Sequence, residues 1–282
     1  MIYECHGHII LDGIAYLGAI AHHRGGVDES IVRANLRANA DQGVKYYRDG
    51  GDKHGVSIFA KTIAWEYGID YVTSGYIILK KGHYGIMFGR AFDDMSEYRG
   101  LIAEAIGKGA DFVKTSASGL LDFSNGGKVT HPSLTYNELS EMVNIAHGEG
   151  LAVMVHANGA DNIKRAAEAG ADSIEHGYYM DDVALKIMAD TGAIWVPTCV
   201  TAVNLVGSGL YDDNLLMSIA QSHNATLIQA VNLGVSIACG SDAGASGVYQ
   251  GKGIIDEMSI LSSLGIDPVP GNQQISNKFR RK

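Results

Sequence analysis

His6 and His8 stand two apart in the short apolar run Met1–Ile9. On a β-strand alternate side chains share a face, so both imidazoles, together with Glu4, point the same way. Two imidazoles on one strand face make half of a metal site, and the other half must come from ligands distant in sequence. Two hydrogen-bonded histidines near the surface are the ordinary alternative. It is disfavoured in a buried type of strand, because desolvating two unpartnered imidazoles is costly. Further candidates recur at the ends of later apolar runs: Lys114, His156, His176 and Asp242. Each has an everyday reading, as a lysine snorkelling at a strand end, a packed histidine, or a helix cap. Two successive strands ending in His at one register weigh toward ligation, since neutral imidazole is a common ligand of zinc and related ions. Beside four histidines Lys114 acquires a second role. An amine that has reacted with carbon dioxide carries a carboxylate and can bridge two ions. Asp242 is a candidate both for ligation and for accepting a proton.

The remaining titratable groups sort by position. His83, in Lys81–Tyr84 within a long loop, is a candidate substrate contact. His22, His23, His54, His131, His147 and His223 lie in helical or loop stretches and are assigned no chemistry. Strand alternation turns Glu175 away from His176, which makes it a structural polar residue, and turns Cys5 away from both N-terminal histidines into the core.

Positioning these residues requires a repeated element, and the sequence supplies one. A helical pattern ends at a Gly, and an apolar run of about five residues follows, closed by a polar residue. Gly43–Asp49, Gly68–Ser74, Gly109–Thr115, Gly150–His156, Gly170–His176, Gly192–Thr198 and Gly234–Asp242 all read this way. Gly at a helix C′ position followed by a β-branched run is an αβ connection. With the first strand this makes eight. Amphipathic helical stretches lie between them at Ser30–Asp41, Met95–Lys108, Thr135–Gly148, Asn162–Ala169, Asp181–Asp190 and Asn214–Asn232. Thr135 with Glu138 has the form of a capping box. Alternating strands and helices predict a parallel sheet, and eight such units most simply close into an α/β (β/α)8 TIM barrel. An open doubly wound sheet would usually carry a Gly-rich phosphate loop after its first strand, and Ile9–Ile20 holds none. In a barrel the strand C-termini carry the active site, and there this register places Arg48, Asp49, Lys114, His156, His176 and Asp242. Tyr76–Asp94 and Ala117–Leu134 are long βα loops expected to wall a substrate pocket.

Composition narrows the partners. A formal charge of −9 disfavours nucleic acid and anionic membranes. The basic end Lys278–Lys282 is expected to be solvated. No apolar stretch reaches membrane-spanning length, and no signal peptide is apparent. Cys5, Cys199 and Cys239 are odd in number, widely spaced and set in apolar runs, which predicts buried thiols and a reducing cytoplasmic setting.

Taken in order, Glu4–His8, Tyr47–Gly51, Gly82-His83, Gly109–Lys114, Val155–Gly159, Ala171–Gly177 and Gly240–Gly244 resemble the amidohydrolase superfamily. The likeness is greatest to its imidazolonepropionase-like and Xaa-Pro or Xaa-Arg dipeptidase-like members, over about residues 2–265. The resemblance implies two divalent metal ions, zinc first, with iron, manganese or cobalt also fitting. His6, His8 and Asp242 would hold the more buried ion, His156 and His176 the second, and a carboxylated Lys114 would bridge them. Water or hydroxide between the ions would be the nucleophile, and Asp242 would pass its proton to the leaving amine. His83 and Tyr178 match positions near the substrate. The implied activity is hydrolysis of a small amide or cyclic amide, of dipeptide or acylamino-acid type. A lactone or phosphoester hydrolase on the same site and a non-catalytic, truncated metal-binding remnant are the alternatives. The small-molecule substrate is the expected partner, with homo-oligomerisation left open. Members usually have Asp where Glu4 stands, and the imidazolonepropionase-like ones add a small β-sandwich. Here the barrel alone is expected, over 1–265, with 266–282 as a C-terminal tail.

Overall fold

A computed structural model describes residues 1–281. The chain opens with β1 (Ile2–Gly7), α1 (Tyr16–Ala21), α2 (Glu29–Asp41), β2 (Val44–Asp49), α3 (Val56–Ile63) and β3 (Asp70–Thr73). It continues through β4 (Ile77–Lys80), β5 (Gly89–Phe92), α4 (Met95–Gly107), β6 (Val113–Ser116), β7 (Leu121–Asp122) and β8 (Lys128–Val129). Then come α5 (Tyr136–Gly148), β9 (Val153–Ala157), α6 (Ala160–Glu168), β10 (Ser173–His176), α7 (Asp182–Thr191) and β11 (Ile194–Val196). The last elements are α8 (Val200–Val203), α9 (Asp213–Asn232), α10 (Lys252–Ser263) and α11 (Val269–Lys278).

The helices start and stop where local chemistry dictates. Thr135 and Glu138 close the expected capping box on α5, and Asp28, Asp94, Asp181 and Asp212 cap α2, α4, α7 and α9. The glycines that phase the sequence take left-handed φ, as at Gly192 (71°), which ends α7 and turns the chain into β11.

The fold is α/β with parallel sheets. β1, β2 and β3 form one; β11, β10, β9, β6, β4 and β5, in that order, form another; β7 and β8 make a short antiparallel pair. Backbone bonds link the edges. Asp111 N donates to Thr73 O (2.8 Å), Trp195 N to Ser236 O (2.9 Å), Cys5 N to Cys239 O (3.0 Å) and Asp242 N to His6 O (2.7 Å). Two expectations are corrected here. Residues 235–242 do not form a regular strand and keep only the bridges Trp195–Ile237 and Gly7–Ala243. Side chains take over the ladder's acceptors, Asn272 Oδ1 for Cys239 N and Glu4 Oε1 for Ser241 N. The long connection 76–94 contains β4 and β5, paired in parallel, rather than loop alone.

Most of the core lies between strands and helices. A second apolar cluster gathers Cys5, Tyr46, Val72, Phe112 and Met154 with Ile275 and Phe279 from the C-terminal end. The basic side chains of that end, Lys278, Arg280 and Arg281, are exposed as expected, but Phe279 among them is fully buried, one turn from Ile275 of α11 and on the same face. Lys278 pairs with Asp172 (2.7 Å) and Arg280 with Asp70. Lys282 lies outside the described residues. Among the described residues no helix is long and apolar enough to cross a membrane.

Candidate metal and active site

All six expected ligands line one cavity of about 260 Å³. β1 delivers His6 and, just past its end, His8; β6 delivers Lys114, β9 His156, β10 His176 and the run after α9 Asp242. The rings form a chain: centroids lie 5.5 Å apart for His6–His8, 5.0 Å for His6–His176 and 4.4 Å for His156–His176. Asp242 Oδ1 stands 3.5 Å from His6 Nε2 and 3.6 Å from His8 Nε2. One donor atom from each of these three falls within 4.8 Å of the others, close enough to share an ion. His156 and His176 share the cavity but fall outside that cluster, and Lys114 lines the same cavity.

Burial sets the protonation states. Desolvation pushes His8 and His156 down to about 3, and His6 and His176 well below the ordinary value, with Lys114 adding repulsion to each. The imidazoles are therefore neutral, the form that ligates metal. Lys114 Nζ is buried with no hydrogen-bond partner, and burial lowers its pKa to about 8, opposed by Glu175 and Asp242. Burial raises Asp242 to about 7, opposed by Lys114. Neutral imidazoles, a carboxylate and an orphaned amine around one cavity fit a divalent-metal site, and the lowered pKa of the amine raises the share of the neutral form that adds carbon dioxide.

The surrounding shell orients these donors. His176 Nδ1 meets Thr198 Oγ1 at 2.8 Å, and His156 Nε2 lies 3.0 Å from the Gly119 carbonyl. His6 Nδ1 meets Glu175 at 2.7 Å. Glu175 in turn is held by both sides of a buried ion pair with Arg48 (3.0 Å), whose Nη1 also donates to Ser173. The expectation that Glu175 is a structural residue with its back to the site needs correction. His176 has φ 68°, so strand alternation fails there and both neighbours face inward. Arg48 thus sits beneath the site, and Asp49 ties Ile9 N (2.8 Å) and the Tyr71 hydroxyl (2.6 Å) rather than entering the cavity. Glu4 accepts from Ser241 and from His6 N, bracing β1 and not ligating.

His83 lines the cavity from the β4–β5 connection. Tyr178 lines an adjoining cavity of about 160 Å³, which shares His156, His176 and Asp242 with the first. Its hydroxyl is engaged by Thr201 (3.0 Å) and its ring stacks on His223 at 4.0 Å. Two wall residues escaped the sequence reading: Tyr84, whose ring lies 4.9 Å from His156, and His131. No spacing marked them, because both come from the irregular loops.

The arrangement defines an α/β protein with three ligand-type side chains, His6, His8 and Asp242, gathered at the ends of parallel strands. The chain belongs to the amidohydrolase family, whose sequence profile matches residues 27–270. Ochratoxinase of Aspergillus niger is 29% identical over 181 residues, 59% of this chain and 38% of that protein. The chain thus spans well under half the length of that curated relative. An uncharacterised protein of Mycobacterium bovis is 24% identical over 91% of this chain and 68% of its own. Among solved structures, a Xaa-Pro dipeptidase with bound methionine superposes with TM-score 0.74 at 24% identity, covering 98% of this chain and 72% of that one. Phenylurea hydrolase B superposes with TM-score 0.77 at 14% identity, over 99% and 74%. At these identities the superpositions establish a shared fold.

Proposed function

We propose that the chain is a metal-dependent hydrolase of small amides, built on a closed (β/α)8 barrel. The edge-to-edge backbone bonds and the shared fold support the barrel. One observation carries the function: a buried, unpartnered Lys114 amine inside a ring of four neutral imidazoles and Asp242. In this reading His6, His8 and Asp242 would hold one divalent ion, zinc by donor type, and His156 and His176 a second, with carboxylated Lys114 as a further ligand. When bound, such ions polarise the substrate carbonyl and acidify water.

The rest follows from the chain's own groups. Asp242, the carboxylate facing the cavity, would take a proton from the attacking water and return it to the leaving amine. Glu175 fixes the tautomer and tilt of His6, and Thr198 those of His176. His83 contacts substrate at the mouth, and the Tyr178 ring shapes the second cavity. The test is metal analysis beside turnover of an amide panel. About two divalent ions per chain, and loss of all turnover on chelation with recovery on zinc, are expected. Full activity in metal-free protein would sink the reading. A melting temperature indifferent to zinc, together with no turnover, would leave only a remnant.

A further inference from the structure

We infer that the substrate is a neutral amide carrying an apolar, aryl-sized group on each side of the scissile bond, and not an amide bearing a free carboxylate. The inference rests on the hydrolase reading and deepens it. Two cavities meet at His156, His176 and Asp242. The first is walled by Leu11, Tyr84, Ile86, Met87 and Phe88, the second by Leu121, Phe123, Leu205 and Tyr211. Tyr16, Leu120 and Ala245 belong to both. An amide held at the junction sends its acyl group into one apolar chamber and its amine group into the other.

Charge argues the same way. Among the described residues lining either cavity, Lys114 is the sole ammonium or guanidinium, and it is committed to the metal site. The one acid that faces both chambers is Asp242, which is likewise committed to the metal site. The imidazoles His83 and His131 sit toward solvent, His131 exposed and His83 half-buried. A carboxylate seated against the apolar walls, away from the strand-end donors, would lose its hydration with no side-chain cation in return, which is unfavourable. Dipeptides and acylamino acids carry such a group; anilides, aryl amides and their kin do not.

The experiment compares N-benzoyl-phenethylamine with N-benzoyl-phenylalanine, which differ by one carboxylate. With the zinc-loaded chain, kcat/KM is expected to favour the neutral compound at least tenfold, about 1.4 kcal/mol. Calorimetric binding to the metal-free chain is expected to show the same preference, which reads the walls without the ions. Leu120→Arg places a guanidinium on the wall common to both chambers, at a half-exposed position that tolerates it, and is expected to shrink the preference about tenfold. Equal or better binding of the acid, or no binding of either compound, overturns the inference. Preferential binding of the neutral compound with every amide left intact overturns the hydrolase reading and keeps this one. Hydrolysis that favours the free acid does the reverse.

Discussion

The two ends of the parallel strands are built on opposite rules. At the N-terminal end Cys5, Tyr46, Val72, Phe112 and Met154 close against Ile275 and Phe279 of the C-terminal segment, an apolar plug. At the other end imidazoles, Lys114 and Asp242 surround a cavity, and the amine has no partner. All the non-glycine residues with left-handed φ among the described residues belong to this second end or its loops: His131, His176, Tyr179, Thr198 and Asp242. Such conformations cost about 1–3 kcal/mol each and persist where the surroundings enforce them. Stability is concentrated at one end, and strain with desolvated polar groups at the other. The difference teaches that the reactive mouth is affordable because the far end is closed by ordinary packing. Arg48 joins the two: its guanidinium pairs with Glu175 behind His6 and lies 4.3 Å over the Phe279 ring.

The largest effect should come from breaking that joint. Glu175→Gln leaves Arg48 buried without its counter-charge, which typically costs about 3–5 kcal/mol. It also loosens His6, so metal affinity should fall about 10–100-fold. Denaturant unfolding and competitive zinc titration would record both losses. A variant with unchanged affinity would remove Glu175 from the metal site's support. Phe279→Ala tests the other end alone. Emptying the plug should cost about 3–5 kcal/mol of unfolding free energy, with zinc affinity of the folded fraction within about threefold of the parent. If affinity fell as far as in Glu175→Gln, the two ends would not be separable.

How much of this was legible in the sequence follows from the same contrast. The Gly-phased strands obey periodicity, and periodicity survives folding. His6 and His8 both line the cavity, as alternation predicts; His156 and His176 reach it from successive strands although they do not share a register, His156 pairing with Glu175 and His176 with Ala157. Glu175 was misread because the rule that found His176 fails at its φ of 68°, a conformation no residue type announces. The run 235–242 lost its strand character to two side chains, Glu4 and Asn272, from the far ends of the chain. Tyr84 and His131 reach the cavity from loops whose path depends on tertiary packing. The plug had a local signal, Ile275 and Phe279 one helical turn apart, but the basic residues around it favoured the reading of a solvated end.

The smallest expected effect concerns the mouth's pH response. Glu257 on α10 accepts from Cys199 N (3.0 Å) and Val200 N (2.9 Å), fixing the turn after β11. Burial raises its pKa from the ordinary 4.5 to about 7, against those two bonds. The sign follows from proton uptake. Below pH 4.5 the group is protonated folded and unfolded, and its contribution is at its maximum. Between 4.5 and 7 only the unfolded chain releases the proton, so stability falls by about 1.4 kcal/mol per pH unit, roughly 3 kcal/mol in all. In metal-free protein the buried imidazoles, whose lowered pKa values add stability as pH rises, titrate over the same range, so this share is read as the difference between parent and Glu257→Gln: the variant is expected to be less stable at pH 5, where one acceptor is missing, and equal or better at pH 8. A variant with the parent's slope would mean that the turn relaxes on ionisation, and that the mouth holds its shape without enforcing a protonated acid.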